Sequence, residues 1–325
     1  MSSLSIALKH PANWRQTGHW DYMNQTPGKS GIWKNTRYYV NDDGMPEADF
    51  LVVHEDVDST TSVRIPEGNS VFVTSEEKSA KEYDPDFLRQ FDIVVTTRDD
   101  IKHPRVIRTY YFHPWSVRKT YDELLEIEVD KTRELSAVIS SSTWLPGHKA
   151  RFAFVNKLKV HFDGRLDWFS KGENTFVVDK WDGLATYNYS IAIENSVHPN
   201  YFTEKISDCY LANTMPLYAG CPNIYDFFDD RSYLLIDTKD FSKSVKIIES
   251  AILDGLITAR APFIADARRL VLEKYHFVAA VTDLLAPMKS AKSKVRKVIK
   301  PSKYFVEESL TNRFKRAARI ILYGT

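Results

Sequence analysis

Short apolar runs alternate with stretches of helical spacing along most of the 325 residues. In the first half, Ser5–Leu8, Phe50–His54, Ser70–Thr74 and Ile93–Thr97 are rich in aliphatic and β-branched side chains and predict buried strands. Pro85–Phe91 (PDFLRQF) predicts a short helix between the last two. These strands end in polar clusters, as at His54-Glu55-Asp56 and Ser75-Glu76-Glu77. The charge-dense segment Tyr121–Arg133 reads as a junction, after which the pattern restarts. Ala137–Ser140, Tyr189–Ile193, Met215–Tyr218 and Tyr233–Ile236 predict strands, and Lys149–Val160, Phe202–Leu211 and Ser242–Ile252 predict helices. Such alternation is the pattern of open parallel sheets covered by helices, so the expected class is α/β. Two Rossmann-like halves, residues 1–130 and 131–285, should face a crevice, with ligands at the carboxyl ends of the strands. Residues 286–325 form a separate tail, and Pro287 and Pro301 predict a flexible linker within it.

Candidate chemistry concentrates in residues 189–228, which read as a β-α-β unit. Glu194 and Asn195 close the first strand, and Thr203 is a good N-cap for the helix that follows. Phe202, Ile206, Cys209 and Tyr210 recur at helical spacing and should face the sheet. A helix N-terminus offers free N–H groups and partial positive charge, which suit a phosphate. Lys205 would add a full charge for a diphosphate there, and Glu204 would accept from ribose hydroxyls. A solvated first turn with no ligand is the alternative.

The order Glu194-Asn195-Ser196, Tyr201-Phe202-Thr203-Glu204-Lys205, Pro216-Leu217-Tyr218 and Gly220-Cys221-Pro222-Asn223 resembles the donor-site signature of the α-1,3/4-fucosyltransferases, glycosyltransferase family 10. Weaker resemblance reaches back to about Ser70; residues 1–60 and the tail after about 285 lie outside it. The resemblance implies a glycosyltransferase-B fold and inverting transfer of L-fucose from GDP-fucose, with no essential metal or cofactor. It assigns diphosphate binding to Lys205, ribose binding to Glu204, and the fucose side of the donor to Glu194 and Asn195. Tyr201 and Thr203 fall in the same donor-binding motif. The family's phosphate-binding arginine, in an Arg-x-x-Phe-x-x-x-Leu helix, corresponds to Arg151.

Inverting transfer needs a carboxylate to take the proton of the attacking hydroxyl. Val71–Glu77 places two carboxylates at the end of a buried strand, and the resemblance makes Glu76 the base, with Glu77 as alternative. Ser75 stands where the family usually has Gly. As loop residues, both glutamates could equally be solvated. His113-Pro114-Trp115 follows the strand-like Arg105–Tyr111, so His113 and Trp115 are the expected acceptor-side residues, Trp115 stacking on a sugar or else anchoring the packing. The histidines lack ligand spacing, and Cys209 with Cys221 is not a C-x-x-C pair, so no structural zinc is expected. Asp229-Asp230 is the one sequence hint of a metal–diphosphate site.

Charge changes the picture of the tail. The whole chain balances 44 Lys and Arg against 43 Asp and Glu, a net of +1. From Met288 onward eleven basic residues face only Glu307 and Glu308, a net of +9 that leaves −8 on residues 1–287. Leu310, Phe314, Ala317 and Ile321 make one apolar stripe, with Arg313, Lys315, Arg316 and Arg319 opposite. A basic amphipathic helix fits an anionic membrane surface, at about 1 kcal/mol per basic residue; packing on the protein's own surface is the alternative. Without aromatic–basic interleaving, no nucleic-acid partner is expected. Two cysteines are too few for a disulfide scaffold, and reduced thiols are expected. The start, MSSLSIALKHPANW, has no charged leader before its short apolar run, and no run of 18 apolar residues exists. The expected location is therefore cytoplasmic, peripheral on the inner face of a membrane and not secreted. The expected acceptor is an oligosaccharide or glycolipid, such as a GlcNAc-type residue of a lipopolysaccharide precursor. Two other readings stand beside this one: transfer of another nucleotide-activated deoxyhexose, and a silent membrane- or glycan-binding protein of the same fold.

Overall fold

A computed structural model describes residues 3–12, 21–140, 146–170, 175 and 177–306. The chain divides into two units: residues 1–16, 34–109 and 285–325 in the first, residues 17–33 and 110–284 in the second.

Unit 1 is built on a parallel sheet. Its strands are β1 (Leu4–Lys9), β2 (Thr36–Val40), β3 (Phe50–His54), β5 (Ser70–Val73), β6 (Ile93–Thr96) and β7 (Val106–Arg108), while β4 (Thr61–Pro66) lies outside it. The order is β2-β1-β3-β5-β6-β7, with Ile6 beside Phe50 and Leu51 beside Ser70. Every residue of β3, β5 and β6 is buried, which is why these strands read as unbroken apolar runs rather than as alternation. The short helix α1 (Pro85–Leu88) starts at Asp84, whose side chain accepts from Asp86 N at 2.7 Å. It carries Phe87 against Phe72, ring centroids 5.3 Å apart, and Phe91 closes the same cluster. Because β1 has β2 on one side and β3 on the other, the strand order reverses at β1.

Unit 2 repeats the plan. Helix α2 (Tyr121–Glu126) begins with a reciprocal Thr120–Glu123 capping box, so the expected junction is itself structured. The strands β8 (Arg133–Val138), β9 (Leu166–Phe169), β10 (Tyr187–Ile193), β11 (Met215–Ala219) and β12 (Leu234–Leu235) run parallel in the order β9-β8-β10-β11-β12. Helices α3 (Pro146–His161), α4 (Glu204–Leu211), α5 (Phe241–Leu253), α6 (Leu256–Leu270) and α7 (Phe277–Leu285) complete the unit. Here the order reverses at β8, which has β9 on one side and β10 on the other. Lys131 ties the start of this sheet to the end of α4. Its Nζ donates to the carbonyls of Ala185 and Ala212 and to the Thr214 hydroxyl at 2.7–2.9 Å.

After α7 the chain returns to unit 1, where β13 (Lys294–Ile299) pairs antiparallel with β4, Val295 opposite Ile65. This corrects the expected flexible linker: Pro287 and Pro301 bracket a strand, not a free segment. Three of the tail's eleven basic residues pair with acids there. Lys297 lies 3.5 Å from Asp92, Lys294 3.2 Å from Glu47 and Lys289 3.4 Å from Asp49, and the Ser302 backbone donates to Asp56 at 2.9 Å. The division differs accordingly from 1–130, 131–285 and 286–325, because residues 110–130 belong to unit 2 and the described part of the tail to unit 1. The amphipathic stripe at 310–321 lies outside the described residues. Among the described residues no helix is long and apolar enough to cross a membrane.

Candidate active site

The donor-side residues of unit 2 gather at the N-terminus of α4. Thr203 caps the helix, its hydroxyl accepting from Lys205 N at 3.3 Å. Phe202, Ile206, Cys209 and Tyr210 are buried, as their spacing predicts. Glu194 leaves the end of β10 and turns beneath the cap. Its two carboxylate oxygens accept from Thr203 N at 2.8 Å and from the Thr203 hydroxyl at 2.7 Å, with Lys205 Nζ 3.3 Å away. Its side chain has no exposed surface, so Glu194 braces the helix start from within rather than lining the donor surface. Burial raises its pKa, and Lys205 opposes that rise.

Gly220 permits this arrangement. A Cβ there would overlap Glu194 Cγ and come within 2.6 Å of the Tyr218 hydroxyl. Gly220→Ala should therefore displace Glu194 and destabilise the protein by about 1–3 kcal/mol. Thermal unfolding together with nucleotide titration checks it; an unchanged melting temperature and unchanged affinity would refute the packing argument.

Arg151, on α3, is 5% exposed and donates to Asn195 Oδ1. Its Nε is buried with no hydrogen-bond partner among the described atoms. Burial lowers the guanidinium pKa, while Glu194, Glu204 and Tyr201 act in the opposite direction, so all three lie within electrostatic reach. Glu204 is held between two cations, Lys180 at 3.3 Å and Lys205 at 3.5 Å. Burial alone would raise its pKa, but the two ammonium groups prevail and hold it well below the usual carboxylate range. Tyr201 is buried, its ring stacked on His198 at 4.7 Å.

Two members of this cluster went unrecognised from sequence. Lys180 sits in a 3-10 turn capped by Asp179, in a stretch with no periodic signal. Asp208 is one helical turn after Glu204 on the same face, a spacing that pointed to shared partners. It lies 3.6 Å from Lys180 and accepts from Ser116 N at 3.0 Å. Burial pushes its carboxyl up to about 7, with Lys180 opposing and Glu204 reinforcing the rise. Unfolded, the group ionises near the usual 3.9 or so. Between about 4 and 7 the native state holds the extra proton, so its share of stability falls as pH rises through that window. Melting temperatures across it should show a slope that Asp208→Asn flattens; an equal slope in the variant would contradict the assignment.

His113 and Trp115 require a correction. Both belong to unit 2, not to the first half, and both are inside it, at 1% and 3% exposure. His113 Nε2 meets the Ser207 hydroxyl at 3.0 Å, and burial lowers its pKa to about 4, so the ring is neutral. The Trp115 indole donates to the Lys119 carbonyl at 3.1 Å, and its ring lies in the unit 2 core. The reason is topological: β7 ends at Arg108, and the chain has already left unit 1 when it reaches them. Neither side chain is available to an acceptor sugar.

In unit 1, Glu76 and Glu77 follow β5 as expected, Glu76 exposed and Glu77 partly so. Their loop is fixed by a carboxylate that sequence reasoning passed over, although it stood in the visible His54-Glu55-Asp56 cluster. Glu55, at φ 73°, turns its buried side chain to accept from Ser75 N (2.9 Å), the Ser75 hydroxyl (2.6 Å) and the Tyr83 hydroxyl (2.7 Å). Lys81 pairs with it at 2.6 Å. Tyr83 in turn accepts from Glu76 N at 3.2 Å, and Arg98 donates to the Glu76 carbonyl at 3.2 Å. The Ser75 side chain thus has a ligand that Gly could not supply.

Asp229 is engaged by Arg231 at 2.7 Å, and among the described residues no group of three or more His, Cys, Asp or Glu is placed to hold a metal. Both cysteines are free thiols and buried.

Comparison with known proteins agrees on the family. Residues 129–253 match the model for glycosyltransferase family 10 (fucosyltransferase) C-term. The chain is 27% identical over 118 residues to an alpha-(1,3)-fucosyltransferase FucT of Helicobacter pylori, covering 36% of this chain and 24% of that protein. It is 26% identical over 170 residues to the 4-galactosyl-N-acetylglucosaminide 3-alpha-L-fucosyltransferase FUT5 of Hylobates lar, covering 50% and 43%. The chain therefore spans a quarter to less than half the length of these curated relatives. Among solved structures, an alpha-glucosyltransferase in complex with UDP and a 13-mer DNA superimposes with a TM-score of 0.52 at 9% identity, over 88% of this chain and 99% of that one. That likeness is one of fold, the glycosyltransferase-B type. Residues 129–253, which hold the Thr203-Glu204-Lys205 helix start, thus match the C-terminal domain of glycosyltransferase family 10, the fucosyltransferases, over somewhat more than a third of the chain.

Proposed function

We propose that the protein transfers L-fucose, with inversion, from GDP-fucose to a hydroxyl of an oligosaccharide acceptor. The observation that carries this is a pair of cations: Lys205 in the first turn of α4, half-buried and backed by Glu194, and buried Arg151 on α3, whose Nε has no hydrogen-bond partner among the described residues. A buried charged N–H without a partner is costly, and a diphosphate oxygen would satisfy it. In this reading Lys205, Arg151 and the free N–H groups of α4 bind the diphosphate and stabilise the charge that develops as the sugar–phosphate bond breaks. Asn195 orients Arg151, while Tyr201 and Thr203 shape the helix start. Glu204, kept ionised by Lys180 and Lys205, accepts from the ribose. Glu76 of unit 1 takes the proton of the attacking hydroxyl as its oxygen bonds to the anomeric carbon, and GDP leaves; Glu77 is the alternative base.

Relatives named alpha-(1,3)-fucosyltransferase and 3-alpha-L-fucosyltransferase support fucose as the transferred sugar. Calorimetric titration with GDP, GDP-fucose, UDP and other GDP-sugars tests it. Binding of GDP and GDP-fucose with no UDP binding is expected; absence of GDP binding would overturn the proposal. Tighter binding of a different activated deoxyhexose would move the donor, and nucleotide binding without turnover would favour a silent binding protein. The basic segment beyond β13 is assigned to an anionic inner-leaflet surface, where a lipid-linked acceptor would be met. Liposome flotation of the full chain against a version ending at Val306, which keeps β13, tests that role; equal flotation would remove it.

A further inference from the structure

The backbone of Glu55 is held where a residue other than glycine is uncommon. Its φ is 73°, and Asp56 N donates to the His54 carbonyl at 3.0 Å, closing a three-residue γ-turn around it. A γ-turn with positive φ at its centre is the rare, strained form, and such strain persists only where the surroundings over-determine it. Here both flanks are fixed. On one side Glu55 N donates to the Val73 carbonyl at 3.0 Å, which extends the pairing of β3 with β5. On the other, the Asp56 carboxylate accepts from Val57 N at 2.8 Å, from Ser302 N at 2.9 Å and from the Ser302 hydroxyl, so the chain beyond β13 clamps the turn. The turn delivers the buried Glu55 carboxylate to the loop after β5, where it accepts from both the N–H and the hydroxyl of Ser75.

We propose that Glu55, acting through Tyr83, is a positioning residue for the proton transfer: it fixes the backbone of Glu76 so that the exposed Glu76 side chain starts from one orientation. This rests on the reading of Glu76 as the base. A single hydrogen decides the geometry. A tyrosine hydroxyl has one to give. Tyr83 gives it to Glu55 at 2.7 Å, so toward Glu76 N, 3.2 Å away, its oxygen accepts. Burial, with Glu55 reinforcing it, raises the Tyr83 pKa well above its ordinary value, so the hydroxyl keeps that hydrogen. At the other end of the same residue, Arg98 donates to the Glu76 carbonyl at 3.2 Å. Arg98 is itself fixed by Asp100 through two bonds of 2.9 and 2.8 Å. The N–H and carbonyl of Glu76 are thus both held while its side chain is left exposed. A displacement of about 1 Å in a reacting group costs up to about 10²-fold in rate, so this frame bears directly on turnover.

Two variants of the full chain test this. Tyr83→Phe keeps the ring against Phe72 and removes only the hydroxyl, while Glu55→Gln keeps the shape and removes the carboxylate that claims the Tyr83 hydrogen. Each should lower the kcat of fucosyl transfer by about 10–100-fold. KM for both substrates and GDP affinity should stay within about twofold of wild type, the mark of a loss confined to the transition state. In a Glu76→Gln background the same two changes should lower kcat by less than about twofold, because residues that act through one group are not additive. A merely structural loss would cut the active fraction equally in both backgrounds. Hydrogen exchange of the Glu76 amide, followed by NMR, reads the frame without turnover and should quicken by at least about tenfold in both variants. Wild-type kcat in both variants, an equal loss in both backgrounds, or unchanged exchange at Glu76 would overturn the inference. Wild-type turnover in Glu76→Gln would instead strike the reading of Glu76 as the base, and the exchange rates would still decide whether Glu55 holds the loop.

Discussion

Glu76→Gln should lower the kcat of fucosyl transfer by about 10²–10⁴-fold, the range for a lost general base, with GDP affinity unchanged. The substitution keeps size and hydrogen bonding but removes the proton acceptor. Its interpretation is unusually clean because the Glu76 backbone is fixed by groups that the change does not touch, the Tyr83 hydroxyl at its N–H and Arg98 at its carbonyl. Glu77→Gln is the matched control. Equal turnover in Glu76→Gln and wild type would remove Glu76 as the base, and a large loss in Glu77→Gln alone would assign the role there. Rates with saturating donor and acceptor, beside GDP calorimetry on both variants, separate these results.

Lys205→Met should have the largest combined effect, reducing GDP affinity by at least about tenfold and stability by about 3–5 kcal/mol, the usual cost of removing one partner of a buried ion pair. Glu194 has no exposed side-chain surface, and Lys205 is the cation 3.3 Å from it. Without that charge, burial raises the Glu194 pKa further above its unfolded value. The sign of the pH response follows. Between the unfolded and folded values the native variant binds the extra proton, so it loses stability as pH rises through that interval and regains it on acidification. Melting temperatures at pH 5 and 7 should thus move closer to wild type at the lower value, and Lys205→Arg should restore most of the loss. A variant with wild-type melting at both values and wild-type GDP affinity would contradict this account of the site.

Buried parallel strands were legible because burial on both faces writes continuous apolar runs. Phe50–His54 is found with the expected bounds, and Ile93–Thr97 ends one residue earlier. The β-α-β unit around Thr203 was legible for the same reason, strengthened by its cap. Strands β2 and β4 were missed because their polar alternation, as in Thr36-Arg37-Tyr38-Tyr39, lacks such a run. Helices α6 and α7 were missed because Pro262 breaks the expected spacing in one and the other is apolar nearly all round. At the site, local chemistry predicted which side chains cluster at α4 but not which of them face outward. Glu194 and Glu204 are both carboxylates beside Lys205, and only their tertiary surroundings make one a buried brace and the other partly accessible. Lys180 and Glu55 act at a distance in sequence, and no local pattern announces a partner 24 or 20 residues away.

The return of β13 to β4 also governs the order in which the chain can fold during synthesis. The parallel sheet of unit 1 is complete once β7 emerges, yet β4 has no partner strand until Lys294–Ile299 follows. At roughly 5–20 residues per second, that wait lasts roughly 10–40 s. Residues 110–284 emerge within it and can close their own sheet first. The edge of β4 stays open throughout, a target for chaperones and a point of vulnerability to mispairing.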